Sequence, residues 1–477
     1  MSGHSAAQIR AQLQHPVIDI DGHTVEFVPA LEGYLRDEGV RLQDALSLTM
    51  PGSLGPVMDW YSLSIAERAN QRVARGPWGI GLEHTIDQAT AFLPSLLYDR
   101  LDELGMDFSV IYPSIGLLFP HLANEDHRRG ACRALNRFNA DVFADFSDRM
   151  TSVAEIPMHT PDEAIAELEH AVGQLGFKAI VMPNFVQRPV AAVAQQHPEI
   201  ASWALWTDTF GFDSQYDYDP VWAKCRELNV SPSFHSAAMG WPNRRSISSY
   251  VFNHVGMLGE SHHSTAKSLF MGGVTRRFPD LNFAFLEGGV AWAASLLCDL
   301  MGHWEKRNGP RMQYLEPAER INRDEFMKYF ERYGGDWASL VPPPRSLRPE
   351  DTALLDEFDA CGIERIEDFY ELFVPRIYCG CEADDPMTAT AFNDKVNPFG
   401  AKLNAFFGSD ISHWDVPVMA DVLGESREMV EHGFLSEDDY RDFVFVNPVR
   451  FYAHANPSFF KGTTVETQAA TVTTHAH

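Results

Sequence analysis

The sequence predicts one α/β domain folded as a (β/α)8 barrel, or TIM barrel, over residues 1–460. Short apolar runs without polar alternation recur along the chain, as expected of strands buried on both faces of a parallel sheet. Helical patterns separate these runs, which favours right-handed β–α–β crossovers. Eight such runs can be found, and eight parallel strands favour a closed barrel over an open sheet.

The predicted strands follow one another at intervals that leave room for helices. They are residues 17–21, 108–113, 151–157, 178–183, 229–235, 281–287, 376–380 and 404–410. The clearest helix is 160–176, where Thr160 or Asp162 can cap the start and Gly176 can end it. Further helices are predicted at 124–146, 290–306 and 415–432.

Two connections are too long for a minimal barrel. Residues 28–95 contain both apolar and Gly/Pro-rich segments, and residues 307–375 include the stiff segment VPPPRSLRPED. Both are interpreted as insertions that cover the C-terminal face of the barrel or form an oligomer contact, and a homodimer is expected. The Thr/Ala/His-rich tail, 461–477, is predicted to be disordered.

The composition excludes some classes of partner. Lys and Arg total 38 against 66 Asp and Glu, a formal net charge of −28 that would repel nucleic acids and anionic membranes. We therefore expect a small-molecule substrate. The six scattered cysteines form no disulfide framework, and the N-terminus shows no apolar signal segment. No uninterrupted apolar stretch is long enough to span a membrane, so a cytoplasmic enzyme is expected.

Asp21 and His23 stand where the first predicted strand ends, in VIDIDGH. Side chains two residues apart on a strand point the same way, so both can reach one cation while Gly22 keeps the backbone close. Ordinary turn-favouring polar residues at a strand end would explain the same pattern. The pair alone therefore leaves both interpretations open.

His235 and Asp410 close two further apolar runs. Taken singly, the histidine could be a satisfied core residue and the aspartate a helix cap. However, the C-terminal ends of all strands meet on one face of a barrel, where active sites lie. Imidazoles and carboxylates together suit Zn²⁺, Fe²⁺ or Mn²⁺. With Asp21 and His23, these residues predict a divalent metal centre.

The chain resembles the amidohydrolase superfamily, in the branch related to aminocarboxymuconate-semialdehyde decarboxylase. The matching text is VIDIDGH, SFHSA, GGVTRRFPDLNFAFLEGG and FFGSDISHWD, within residues 17 to about 455. The count of eight strands draws on this resemblance. It also implies that Asp21 and His23, the fifth-strand His235 and the eighth-strand Asp410 bind a divalent metal.

Two positions depart from that family. Its first-strand pair is often His-x-His, and here Asp21 is the first member. Relatives usually have His-Gly-Gly on the sixth strand, where this chain has Glu287-Gly288-Gly289. Glu287 could be a general base or could bind a second metal, because three clustered carboxylates repel one another unless cations shield them. One or two ions are therefore expected.

Five more residues are candidates for the site. His254 follows an apolar run after the fifth strand and could act as an acid, a base or a ligand, or could lie on an exposed helix. His262 and His263 follow it with a weaker claim. His413 and Trp414 follow Asp410 closely enough to line a substrate pocket.

Hydrolysis is the predicted reaction. A metal-bound water would attack an ester, amide or thioester of a bulky hydrophobic acid, and an acyl-CoA thioesterase is one form of this. Glu287 or Asp410 would carry the proton, with His254 as a further acid or base. The alternative is non-oxidative decarboxylation of an aromatic or unsaturated acid, which relatives perform. A second alternative is a barrel that binds a ligand without turnover.

Overall fold

All eight predicted strand positions carry strands in the computed structural model, and the (β/α)8 barrel is confirmed. The structure describes residues 4–46, 57–77, 81–237, 240–241, 244–308, 311, 322–343 and 356–474. The strands are β1 (Ile18–Thr24), β2 (Phe108–Pro113), β3 (Met150–Ser152), β4 (Ala154–Glu155), β5 (Ile180–Met182), β6 (Val186–Pro189), β7 (Leu205–Asp208), β8 (Pro232–Phe234), β9 (Phe283–Phe285), β10 (Ile377–Cys381) and β11 (Asn404–Phe407).

Parallel pairing runs almost completely around the barrel. One sheet has the order β1-β2-β3, and the other has the order β11-β10-β9-β8-β5-β4. β3 and β4 form one barrel strand with Val153 between them, and the amide of Val153 donates to Ile111 at 3.0 Å. The ring closes beyond β11, where the Asp410 amide donates to the carbonyl of Asp21 at 2.8 Å.

β6 and β7 lie outside this ring as an antiparallel pair that the sequence did not predict. The pair projects from the chain that follows β5. Arg188 of β6 forms a buried ion pair with Asp208 of β7 at 2.5 Å, which fixes the two strands against each other. Because this pair is inserted after β5, the next helix of the barrel begins only at Asp219 and ends at Glu227.

Helices surround the strands. The α-helices are Ala6–Gln12, Val28–Asp37, Leu42–Ala45, Ile65–Gln71, Thr85–Phe92, Pro94–Leu104, Glu125–Phe143, Pro161–Leu168, Ala191–Gln196, Asp219–Glu227, Tyr250–His254, Met257–Met271, Val274–Arg277, Ala291–Arg307, Arg323–Tyr333, Glu367–Phe373, Val422–Glu431, Glu437–Arg441, Asn447–Ala455 and Glu466–Thr474. Short 3₁₀ helices are Val57–Ser62, Gly116–His121, Ala144–Phe146, Pro198–Ile200, Gly335–Leu340, Asp359–Cys361, Pro386–Phe392, Pro398–Gly400 and Met419–Asp421, and π-helical turns are Glu169–Gln174 and Asp442–Val446. None of the helices in the described ranges combines the length and apolar character that a membrane crossing requires.

The apolar strand runs fill the interior, as their lack of polar alternation predicts. Phe234 of β8 stacks on Phe285 of β9 with ring centroids 5.2 Å apart, and Trp222 packs edge-on against Phe283 at 5.8 Å. All four rings are fully buried. Burial of this kind stabilises each side chain by about 1.5–3 kcal/mol and holds the strand ends at fixed positions.

The first predicted insertion packs beside the C-terminal strand ends. The amide of Glu83 donates to Pro417 at 2.9 Å, and the amide of Arg75 donates to Ser246 at 3.0 Å. Both acceptors lie in loops that follow barrel strands. In the second insertion, the described residues 356–375 contact the helix layer instead, where Phe369 packs on Phe270 at 5.6 Å. That the second insertion covers the barrel mouth stays a prediction.

The tail differs from its prediction. Residues 466–474 form a helix, and the chain before it is anchored by Thr464, whose amide donates to Asp148 at 3.0 Å. Val465, Ala469 and Val472 are buried. Their spacing of four and three residues is the period of one helix face, and this apolar stripe outweighs the polar composition that suggested disorder. Residues 475–477 lie outside the described residues.

Candidate functional site

The C-terminal strand ends bring five predicted residues together. Asp21 and His23 lie at the end of β1, His235 follows β8, Glu287 follows β9 and Asp410 follows β11. Each residue is at least nine-tenths buried. Five ionisable side chains therefore share one enclosed end of the barrel.

The ligand atoms form two overlapping groups that share His23, one of Asp21, His23 and His235 and the other of His23, Glu287, Asp410 and His413. His23 Nε2 lies 3.4 Å from Asp21 Oδ1 and 3.5 Å from Asp410 Oδ1. His235 Nε2 lies 3.9 Å from Asp21 Oδ1. Ligand atoms that lie about 2.0–2.2 Å from one ion are separated from each other by roughly 3.0–3.5 Å. The observed separations are close to that range.

The Nδ1 hydrogen bonds of both histidines leave Nε2 directed toward the carboxylates. His23 Nδ1 donates to the carbonyl of Pro113 at 3.1 Å, and His235 Nδ1 donates to the carbonyl of Ser236 at 3.1 Å. In the neutral ring, a proton on Nδ1 leaves a lone pair on Nε2. His235 Nε2 lies 3.0 Å from Glu287 Oε2, and although burial alone would lower the pKa of His235, the carboxylates of Glu287 and Asp21 raise it. His23 Nε2, Asp21 Oδ1 and Asp410 Oδ2 are buried without a hydrogen bond in the described chain. These orphaned atoms fit a divalent cation.

Burial sets the electrostatics of this group. It raises the pKa of Asp21 well above its usual range, and repulsion from Glu287 adds to the effect. Burial and the charge of Glu287 raise the pKa of Asp410 in the same direction. For His23, burial lowers the pKa well below 6.5 and so favours the neutral ring. A cation at this position would stabilise both carboxylates in their charged form.

Asp19 holds the two ends of the barrel seam together beneath the site. Its carboxylate accepts from Ser109 Oγ at 2.6 Å, from the Ser409 amide and hydroxyl at 2.9 Å each, and from the Asp21 amide at 3.2 Å. Gly22 is required there, because an added Cβ would lie 2.6 Å from Asp19 Oδ2. Asp19 therefore positions Asp21 through its own amide and Asp410 through the preceding residue, Ser409.

Glu287 reaches across to two histidines. Its Oε2 lies 3.0 Å from His235 Nε2, and its Oε1 lies 3.4 Å from His254 Nε2. Burial alone would raise the pKa of Glu287, but these two imidazoles hold it well below its usual range. Its backbone is left-handed, with φ of 59°, and Asp410 shares this feature with φ of 48°. Such backbone is costly for residues other than glycine and commonly marks functional positions.

His413 and Trp414 lie where the sequence predicted. His413 Nδ1 is 2.6 Å from Asp410 Oδ1, its Nε2 is 3.1 Å from Ser114 Oγ, and its ring lies 3.9 Å from that of His23. Trp414 makes edge contacts with the rings of Tyr250 at 5.6 Å and His254 at 5.3 Å. These aromatic rings give the site a partly apolar wall.

His262, a weaker candidate, is a buried structural residue. Its Nε2 donates to the carbonyl of Leu286, and its Nδ1 accepts from Asn184 at 2.8 Å. The side-chain oxygen of Asn184, Oδ1, in turn accepts from the Ser236 hydroxyl at 2.7 Å. This chain of hydrogen bonds connects the residue after His235 to the residue before Glu287. His263 is half-buried on the same helix.

Two further acidic residues, Asp415 and Glu382, lie near the site. Asp415 Oδ2 lies 3.5 Å from His254 Nε2. Glu382 follows β10, where burial and the charge of Glu287 raise its pKa well above the usual range. Glu382 directly follows its strand, but many acidic residues do so without reaching the centre, and Asp415 lies further from the end of β11.

Comparison with known proteins identifies the family. The family model described as Amidohydrolase matches residues 87–336, more than half of the chain. The chain therefore belongs to the amidohydrolase family, as its motifs predicted, and it is a member of a superfamily of enzymes.

Individual relatives are more distant. Decarboxylase orsB of Emericella nidulans is 29% identical over 201 residues, and the match spans 38% of this chain and 53%, about half, of that protein. An amidohydrolase from Mycobacterium avium subsp. paratuberculosis has a TM-score of 0.51 at 14% identity, over 92% of this chain and 100% of its own. That similarity supports the barrel fold. A dihydroxybenzoic acid decarboxylase from Polaromonas, solved with manganese and 2-nitroresorcinol, has a TM-score of 0.49 at 14% identity, over 94% and 100%.

Proposed function

We propose that this protein is a metal-dependent, non-oxidative decarboxylase of an aromatic or unsaturated carboxylic acid. The observation that carries the proposal is the relationship to Decarboxylase orsB within an amidohydrolase chain that has a buried ligand group at its strand ends. The comparisons thus favour the reaction that the sequence analysis placed second. Hydrolysis becomes the second candidate.

Asp21, His23, His235 and Asp410 would hold the metal. Their imidazole and carboxylate atoms suit Zn²⁺, Fe²⁺ or Mn²⁺. When bound, the ion would supply a positive charge for the substrate carboxylate and for a hydroxyl group beside it. The charge on both would otherwise be repelled by the acidic side chains around the site.

Asp410 and His413 would carry out the proton transfer. Their 2.6 Å contact connects a buried carboxylate to an imidazole. The Asp410–His413 pair would share one proton and deliver it to the carbon that bears the carboxylate. The bond to the carboxylate then breaks, its electron pair returns to the ring, and carbon dioxide leaves. A proton from solvent then restores the pair.

Trp414 and Tyr250 would face the flat apolar part of such a substrate. Their edge-to-face contact at 5.6 Å fixes both rings, and Gly81 of the first insertion lies against Trp414. Aromatic walls around a few polar groups are typical of sites for small aromatic ligands. We propose that Trp414 and His413 contact the substrate in this way.

The test uses Mn²⁺-loaded protein and a set of ortho-hydroxybenzoic acids in D₂O. We expect release of carbon dioxide and one deuterium at the carbon that lost it, measured by proton NMR. Asp410→Asn should lower this rate by at least about 10³-fold, since the acid is lost. The exposed Asp384→Asn is a matched control and should retain the rate. Asp410→Asn with the wild-type rate would refute the proposed role of Asp410.

Hydrolysis is retained as a candidate because of Glu287. Its ionised carboxylate could accept the proton of an attacking water, and relatives carry a histidine there. The two reactions differ in where solvent oxygen goes. Esters or thioesters cleaved in H₂¹⁸O with label in the acid product, and no carbon dioxide from any hydroxybenzoate, would favour hydrolysis and overturn the decarboxylase.

A further inference from the structure

One helical hairpin in the second insertion buries none of its side chains. It consists of residues 322–343, in which the helix Arg323–Tyr333 is followed by the 3₁₀ helix Gly335–Leu340. The Arg323 guanidinium donates to the carbonyl of Pro342, which ties the start of the hairpin to its end. The hairpin is therefore a closed, folded unit, although every residue in it is at least partly exposed.

Large apolar side chains of this hairpin face solvent. Tyr329, Tyr333, Trp337 and Leu340 are 56%, 71%, 69% and 73% exposed. Such a concentration of exposed apolar side chains is rare on monomeric proteins and marks protein–protein interfaces. Tyrosine and tryptophan are also among the residues that contribute most to binding at interfaces. We therefore expect another protein surface to cover the hairpin.

One face of the helix carries an ordered set of charged and aromatic side chains. Glu325, Tyr329, Arg332 and Tyr333 follow one another at helical spacing and are all exposed. The Tyr329 hydroxyl donates to Glu325 at 3.3 Å, and the Arg332 guanidinium lies 5.0 Å from the centre of the Tyr333 ring. The face thus has its acid near the start of the helix, its base near the end and an aromatic ring between them.

This order of charges is complementary to itself when two such helices run antiparallel. Glu325 of one helix then lies opposite Arg332 of the other, and a twofold axis repeats the same contact. The two Tyr329 rings meet at the axis. Antiparallel helices also place opposite dipole ends side by side. A parallel pair would instead bring like charges together.

The charge of the whole chain leaves few surfaces where two copies can approach each other. Its formal net charge is −28, so two copies repel one another at long range. The hairpin departs from this excess of acid. Its basic and acidic side chains nearly balance, and they are Arg323, Lys328, Arg332, Asp324, Glu325, Glu331 and Asp336. A nearly neutral, apolar surface with self-complementary charges fits a second copy of the chain.

We propose that the helix Arg323–Tyr333 pairs with the same helix of a second copy, antiparallel across a twofold axis. Glu325 and Arg332 form ion pairs between the two copies, and Tyr329 and Tyr333 pack between those pairs. A contact of this kind uses the same surface on both chains and closes after two of them, so it gives a dimer and not a filament. The pairing is independent of the reaction at the mouth of the barrel.

Sedimentation equilibrium of the full-length protein measures the dissociation constant of this dimer. We expect a dimer in the wild type at micromolar concentration. Glu325→Lys and Arg332→Glu each turn two attractive contacts into two repulsive ones and should weaken the dimer by about 10-fold or more. An equimolar mixture of these two variants should dimerise again, because every charge at the interface then faces its opposite.

Glu331→Lys is the matched control. It makes the same change of charge on another side of the helix and should leave the dissociation constant unchanged. Tyr329→Ala removes the central ring and should weaken the dimer by about 10-fold or more. Circular dichroism reports whether each variant is folded.

Three results would contradict the pairing. A wild type that stays monomeric at submillimolar concentration would overturn the dimer. Folded Glu325→Lys that dimerises as tightly as the wild type would overturn the surface. A mixture of Glu325→Lys and Arg332→Glu that stays monomeric, when each variant alone has lost the dimer, would overturn the antiparallel arrangement.

Discussion

Replacing Asp19 by alanine tests whether the barrel seam depends on one buried carboxylate. The side chain accepts four hydrogen bonds, two from backbone amides and two from serine hydroxyls. The hydroxyls can turn to other acceptors, but the amides of Asp21 and Ser409 cannot. At about 1–3 kcal/mol for each buried donor left unpaired, the amides alone cost roughly 2–6 kcal/mol.

Part of that cost is offset, because burial of the Asp19 carboxyl is itself unfavourable and raises its pKa. We therefore expect a net loss of roughly 3–4 kcal/mol in the free energy of unfolding. Urea denaturation of metal-free protein measures it as a lower midpoint at unchanged slope. The matched control is Ser109→Ala, which removes one of the four bonds and should cost about 1 kcal/mol.

A second readout is specific to the site. Asp21 and Ser409 are held by Asp19, and Asp410 is the next residue, so the loss should also weaken Mn²⁺ binding by about 10-fold or more. If Asp19→Ala lost less than about 1 kcal/mol and bound Mn²⁺ as tightly as the wild type, the carboxylate would not position the ligands. The reasoning from its hydrogen bonds would then be wrong.

One further substitution and one truncation test other parts of the structure. Asn184→Ala removes the hydrogen bonds that connect Ser236 to His262. We expect Mn²⁺ binding to be about 10-fold weaker, as measured by calorimetry. An unchanged dissociation constant would show that this connection is not needed. Truncation after Thr464 removes the buried face of the C-terminal helix, and we expect a loss of roughly 2–5 kcal/mol, seen as a lower melting temperature. An unchanged melting temperature would favour the disordered tail that the composition suggested.

The fold was predictable because its strands are buried on both faces. Runs such as that of β2, Phe108–Pro113, contain little polar alternation, and every residue in it is buried. The pair formed by β6 and β7 was missed for the opposite reason. β7, Leu205–Asp208, is only partly buried, so its pattern does not stand out from a loop.

The candidate ligand group was predictable because the C-terminal ends of all strands meet on one face of a barrel. Asp21, His23 and Asp410 needed only the assignment of their strands. Asp415 could not be found in this way, because its approach to His254 depends on the chain after β11. That chain turns through two left-handed residues, Asp410 and Ser412, with φ of 48° and 79°. Sequence gives no reason to expect this conformation at residues other than glycine.

The closing hydrogen bond of the barrel has a consequence for biosynthesis. The Asp410 amide meets the Asp21 carbonyl across 389 residues of chain, so half of the proposed ligand group leaves the ribosome long before the other half. A contact this distant in sequence forms late and slowly. The nascent protein would expose Asp21 and His23 without the partners that complete a site. Metal acquisition should therefore follow release of the chain and act as the last step of its maturation.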